Sequence, residues 1–128
     1  MLTPPDYTRA ILGSGVSGYV ISAHDQHMRW FAIKVSHFLE AAEHEYRILK
    51  TLAAMDPGKG LQFVQPVDFF IDKGRSFLVT EILGSSLFDF LKRNNFAPFP
   101  LPHVKQIARQ LFDGIQCKVP PSFRHGMR

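Results

Sequence analysis

Three glycines crowd into six residues, Gly13-Ser-Gly15-Val-Ser-Gly18, and the residues on both sides are β-prone. Ile11 and Leu12 lead into the cluster, and Tyr19-Val-Ile-Ser22 leaves it. Glycine resists helix because it loses the most backbone freedom on ordering, and aromatic and β-branched neighbours suit a pleated strand. The cluster therefore reads as a flap between two strands. Whatever else the chain does, its amino-terminal part must be sheet.

The remaining pattern extends that sheet. Trp30-Phe-Ala-Ile-Lys-Val35 is a third β-prone run, joined to the second by the polar stretch His24-Asp-Gln-His27. Phe38, Ala41, Ala42, Ile48, Leu49 and Leu52 recur at spacings of three and four, which predicts a helix over 38–52. Asp56-Pro-Gly-Lys-Gly60 stops it. Two more β-prone runs follow, with Asp72-Lys-Gly-Arg75 as the hairpin turn between them. Pro66 marks the first of these runs as interrupted or at an edge. Ser86, with Asp89 as its capping-box partner, starts a helix from Leu87 to Arg93, and Asn94-Asn95 ends it. Phe96 to Pro102 reads as a rigid connector. An amphipathic helix over 103–116 carries Val104, Ile107, Ala108, Leu111, Phe112 and Ile115. Residues 117–128 show no periodicity and are expected to be an unstructured tail. The fold class is α+β: a five-stranded antiparallel sheet (9–14, 17–24, 29–36, 62–71 and 76–82), the 38–52 helix against it, and two further helices.

Composition removes several functions. With 45% apolar and 20% charged residues, the chain matches an ordinary globular average, and its 12 Phe supply bulk for a core. Cys117 is the one cysteine, so a disulfide framework and a cysteine zinc site are excluded. No apolar run is long enough to cross a membrane, and Met1-Leu-Thr-Pro-Pro-Asp6 lacks a secretory layout. A nuclear or cytoplasmic setting is expected. Of the net charge of +4, Lys118, Arg124 and Arg128 supply three, with no acid near them. The basicity is a short tail and not a face, so nucleic-acid binding is not expected. The six His never combine with carboxylates at metal-ligand spacing, and no metal ligands are assigned.

Gly13-Ser-Gly-Val-Ser-Gly-Tyr-Val20 fits G-x-G-x-x-G-x-V, a pattern that means little alone. Its context is more specific. In a dinucleotide-binding unit the third glycine would open a helix, whereas here a strand follows. A glycine flap between strands can bring backbone N–H groups close to phosphate oxygens. Lys34 lies in the apolar third run, on the face of Ala32 and opposite Ile33 and Val35. Alone it would be a solvent-facing lysine. Glu45 changes this, because it falls on the apolar stripe of the 38–52 helix, where a carboxylate is costly unless paired. A Lys34–Glu45 ion pair would hold the ammonium in place beneath the flap.

These residues together resemble the N-terminal lobe of eukaryotic protein kinases. Glu40-Ala-Ala-Glu-His-Glu-Tyr-Arg-Ile-Leu49, Asp56-Pro57, Phe63-Val-Gln65, Leu83-Gly-Ser-Ser-Leu-Phe-Asp-Phe-Leu-Lys92 and Asn95-Phe-Ala-Pro-Phe-Pro-Leu101 are similar to the LAMMER, or CLK-type, dual-specificity kinases. The resemblance covers residues 7–116. It implies a partial kinase domain there, with an N-lobe over 7–83 and a hinge and first C-lobe helices over 84–116. It implies ATP as ligand. Gly13, Gly15 and Gly18 would cover the triphosphate. Leu12, Val20 and Ala32 would press on the adenine. Lys34, braced by Glu45, would contact the α- and β-phosphates. Thr80 falls at the gatekeeper position, Glu81 and Leu83 would offer backbone hydrogen bonds to the adenine edge, and Ser86 falls near the ribose.

The chain also departs from the pattern. Ser17 stands where the family carries an aromatic at the loop tip, Tyr19 replaces a small or basic residue, and Thr80 replaces a Phe. No His-Arg-Asp and no Asp-Phe-Gly occurs in these residues, so the family's catalytic Asp and its Mg²⁺ ligands have no counterpart here. The expectation is a truncated kinase fragment that binds ATP weakly and transfers no phosphate. The alternative is a regulatory module that binds a protein partner or chaperone through the apolar stripe of the 103–116 helix.

Overall fold

The computed structural model describes residues 11–55 and 63–116. Eight elements follow in order: β1 (Ile11–Gly15), β2 (Gly18–His24), β3 (Trp30–Ser36), α1 (Leu39–Met55), β4 (Pro66–Asp72), β5 (Arg75–Glu81), α2 (Leu87–Arg93) and α3 (Leu101–Ile115). The architecture is α+β, as the pattern predicted. The expected stop at Asp56–Gly60, the tail after Gln116 and the outermost residues of the first and fourth predicted strands lie outside the described residues. The chain divides into two compact units, Met1–Leu83 and Gly84–Arg128.

The first unit is one antiparallel sheet in the order β1-β2-β3-β5-β4, with α1 packed on β4 and β5. The β4–β5 hairpin closes through Lys73 and Gly74, both in the left-handed region (φ 47° and 73°), as a two-residue turn matched to strand twist requires. Pro66 opens β4, the outermost strand, where a missing N–H is tolerated, and the register shifts between Pro66 and Asp68. Asp25 fastens the β2–β3 connection. Its Oδ1 accepts the N–H groups of His27 (2.9 Å) and Arg29 (3.0 Å), and its Oδ2 accepts Arg29 Nε (2.7 Å). Burial pushes this carboxyl up, but the hydrogen bonds from Arg29 and His27 outweigh it and hold the group below its ordinary value.

The core is narrow. Val35, Ala42, Leu78 and Val79 are the buried apolar residues among those described. Ser76, buried beside them, gives its hydroxyl to the Ser36 carbonyl at 3.2 Å. Stacked rings widen the core on both faces of the sheet: Tyr46 on Phe69 at 5.2 Å and Phe70 on Phe77 at 4.9 Å. Such pairs add about 0.5–1.5 kcal/mol each beyond their burial. Helix α1 runs to Met55, three residues past the predicted end, because Ala53, Ala54 and Met55 are good helix formers.

In the second unit, Ser86 caps α2. Its hydroxyl accepts the Asp89 N–H at 3.0 Å and donates to Asp89 Oδ2 at 2.7 Å. That donated bond is the main reason the Asp89 carboxyl lies below its ordinary value. Asn95 and Phe96, both left-handed (φ 52° and 56°), turn the chain out of α2, and Phe96 N–H reaches back to the Leu91 carbonyl at 2.7 Å. Helix α3 begins at Leu101 and not at 103. Pro102 therefore sits in its first turn and not in the connector, a position where its missing N–H has no intrahelical partner to lose.

Candidate functional site

Strand register decides which side chains share a face, because residues directly opposite in an antiparallel pair point to the same side. Gly13 pairs with Val20, Val20 with Lys34, and Lys34 with Leu78. Two residues along, Ser22 pairs with Ala32 and Ala32 with Thr80. Val20, Ala32, Lys34 and Thr80 thus lie on one face. Phe69, opposite Leu78, belongs to the same face and meets Tyr46 of α1 there. The helix that carries Glu45 covers this side of the sheet.

Lys34 Nζ and Glu45 Oε2 meet at 2.7 Å. The pair that the pattern predicted is formed, but its setting differs from the expectation of a buried carboxylate. The two side chains are 33% and 42% exposed. Helix α1 makes its main contacts with β4 and β5, and the Lys34–Glu45 pair is left partly open to solvent. A half-exposed pair adds no more than about 1 kcal/mol to stability. An ammonium has three donors, and this one stays accessible to an anion.

The glycines separate into two kinds. Gly18 has φ 140°, and a Cβ there would run into the Val35 carbonyl. The fold itself demands this glycine. Gly13 and Gly15 are different, since a Cβ at either would meet nothing within 4 Å. Between them and Gly18, Val16 at the loop tip is completely exposed. Backbone on this side of the flap is open to approach from outside the chain.

The other predicted residues are placed as follows. Leu12 and Leu83 are 51% and 65% exposed, so neither is ordinary core. Thr80 gives its hydroxyl to the Glu81 carbonyl at 3.1 Å. Glu81 ends β5, with its N–H on the Gln65 carbonyl at 3.1 Å and its Oε1 accepting Gln65 N–H at 2.9 Å. Gln65 was not singled out from the sequence, because that contact depends on register between distant residues. Ser86 belongs to the second unit, where its hydroxyl serves the α2 cap. A groove of about 380 Å³ lies in that unit, lined among others by Ser86, Phe90, Phe99, His103, Gln106 and Ile107. On α3, Leu111, Phe112 and Ile115 are 61%, 65% and 77% exposed. Among the described residues no helix is long and apolar enough to cross a membrane, and no group of three or more His, Cys, Asp or Glu could hold a metal ion.

No family model matches the chain. Individual relatives do. The dual specificity protein kinase lkh1 of Schizosaccharomyces pombe is 40% identical over 110 residues, which is 82% of this chain and 16% of the relative. Dual specificity protein kinase CLK4 of Homo sapiens is 36% identical over 110 residues, 81% of this chain and 23% of the relative. The serine/threonine-protein kinase Doa of Drosophila melanogaster is 37% identical over 107 residues, 80% of this chain and 13% of the relative. The chain spans less than a quarter of the length of each of these three relatives. Over about four-fifths of its own length, it is homologous to the CLK/LAMMER dual-specificity kinases.

Proposed function

We propose that this stretch holds the upper half of an adenine-nucleotide site of the CLK/LAMMER kinase type and binds ATP weakly by itself. The observation that carries the reading is the 2.7 Å Lys34–Glu45 pair, on the sheet face that also bears Val20, Ala32 and Thr80. Lys34 would meet the phosphates, held in position by Glu45. The open backbone at Gly13 and Gly15 would lie over them, and Gly18 would end the flap. Leu12, Val20 and Ala32 would supply apolar contact to the base, with Thr80 behind it. Backbone groups of Glu81 and Leu83 would bond its edge.

For these residues the reading extends to binding. Phosphoryl transfer depends on positioning and charge neutralisation by a catalytic Asp and by metal-holding groups. These 128 residues contain neither His-Arg-Asp nor Asp-Phe-Gly, the segments that carry those groups in the family. Transfer of phosphate to protein hydroxyls is therefore assigned only to a chain that also supplies those groups. A nuclear or cytoplasmic setting goes with this reading. The test is a thermal-shift titration with ATP, with and without Mg²⁺, on the wild type and Lys34→Ala. Stabilisation by ATP that is indifferent to Mg²⁺ and lost in the variant supports the reading. The absence of any ATP-dependent shift in the wild type removes it.

A second reading follows from α3. Its exposed Leu111, Phe112 and Ile115 form an apolar stripe suited to a protein partner or a chaperone. Sedimentation velocity and hydrophobic-dye binding test it. A monomer that binds no dye contradicts it.

A further inference from the structure

Helix α3 has two sides in different surroundings. His103, Gln106, Ile107 and Gln110 line the groove whose other wall includes Leu87 and Phe90 of α2. Leu101, Val104, Ala108, Leu111, Phe112 and Ile115 fall on a different side by helical spacing. All of these but Ala108 are at least 45% exposed, so no part of the chain covers the stripe. It runs for about 20 Å, some four turns of helix. One border of it is charged. Lys105 and Arg109, one turn apart, follow the edge marked by Leu101 and Phe112. Both are exposed, and neither has an ion-pair partner among the described residues. Asp113, the acid on this helix, is turned farther from the stripe. The opposite border runs into the groove side at Ile107.

From this arrangement we infer that α3 docks an amphipathic helix of a partner protein, one whose apolar seam is bordered by carboxylates a turn apart. The inference rests on the second reading above and adds the chemistry of the partner. Border residues of two packed helices meet in pairs and set which helices associate. An antiparallel second copy would bring the same border together, with Lys105 beside Arg109, and these repel. A parallel second copy would need the opposite border, which already faces α2 across the groove. A partner helix with Glu or Asp at every fourth position meets both cations at once, while its apolar seam fills the stripe. A lipid surface fits less well. A helix that lies in an anionic interface is rich in Lys and Arg across its polar face, where α3 carries Gln106, Gln110 and Asp113.

The experiment uses the full chain and two synthetic helical peptides with the same leucine seam. One carries Glu at every fourth position along its border, and the other carries Lys there. Binding is read by fluorescence anisotropy, and each protein's melting temperature is recorded. The wild type should bind the Glu peptide about tenfold more tightly at about 0.05 M salt, and the gap should narrow at about 0.5 M. Lys105→Glu combined with Arg109→Glu should invert the order. Leu111→Ser combined with Ile115→Ser should lose both peptides at an unchanged melting temperature. A wild type that binds the two peptides equally overturns the inference and leaves the second reading standing. A dimer in sedimentation that Leu111→Ser abolishes also overturns it, as does binding to phosphatidylserine vesicles but to neither peptide. A monomer that binds neither peptide and no hydrophobic dye overturns both the inference and the second reading.

Discussion

Lys34 and Glu45 stand eleven residues apart in sequence and 2.7 Å apart in space, one on a strand and the other on the helix that follows it. Because both side chains are partly solvated, their pairing serves position more than stability. The consequence is measurable. Lys34→Ala should lower ATP affinity at least about tenfold while changing unfolding free energy by less than about 1 kcal/mol. Urea denaturation and nucleotide titration of the same protein check the two halves. A large loss of stability with unchanged binding would show that the pair is structural.

The glycines should divide under mutation. Gly18→Ala places a methyl group against the Val35 carbonyl at a left-handed φ, and should destabilise by roughly 2–4 kcal/mol. Gly13→Ala and Gly15→Ala meet open space, so stability should be unchanged or rise by up to about 1 kcal/mol. Their cost should appear in nucleotide binding alone. Thermal melts with and without ATP separate the three.

Asp25 should make stability depend on pH in a defined window. Its folded carboxyl lies below the ordinary value. A depressed folded pKa contributes stability that is present above the unfolded pKa, about 4, and lost as pH falls through the folded one. The gap in stability between wild type and Asp25→Asn should be constant near neutrality and shrink in acid. Denaturation curves at pH 7 and pH 3 measure it. A gap that widens in acid would reverse the assignment.

Ser86→Ala should fray α2. The serine accepts the Asp89 N–H and donates to its carboxylate, and losing such a cap costs about 1 kcal/mol. Amide hydrogen exchange across 87–93 should accelerate, with α1 unaffected. Uniform acceleration of both helices would instead report global loosening.

The five strands, the hairpin turn at Lys73–Gly74 and the α2 cap were legible in the sequence, because each is written in neighbouring residues. So was the Lys34–Glu45 pair, which follows from strand period on one side and helix period on the other. The exposure of that pair was not legible. It depends on α1 packing toward β4 and β5, and helical spacing says which residues share a stripe but not how closely the stripe is covered. Pro102 was misplaced because a proline in a helix's first turn and a proline in a loop look alike in sequence. The Glu81–Gln65 contact was invisible for a related reason, since only the register of β4 against β5 decides it.

Gly18 is pinned against the third strand at Val35, one residue from the ammonium's own backbone, while Gly13 and Gly15 touch nothing on their open side. Pairing with Val20 and Gly18 fixes those two glycines to the second strand, so the flap offers bare main chain outward while its inner border is set by a residue that tolerates no side chain.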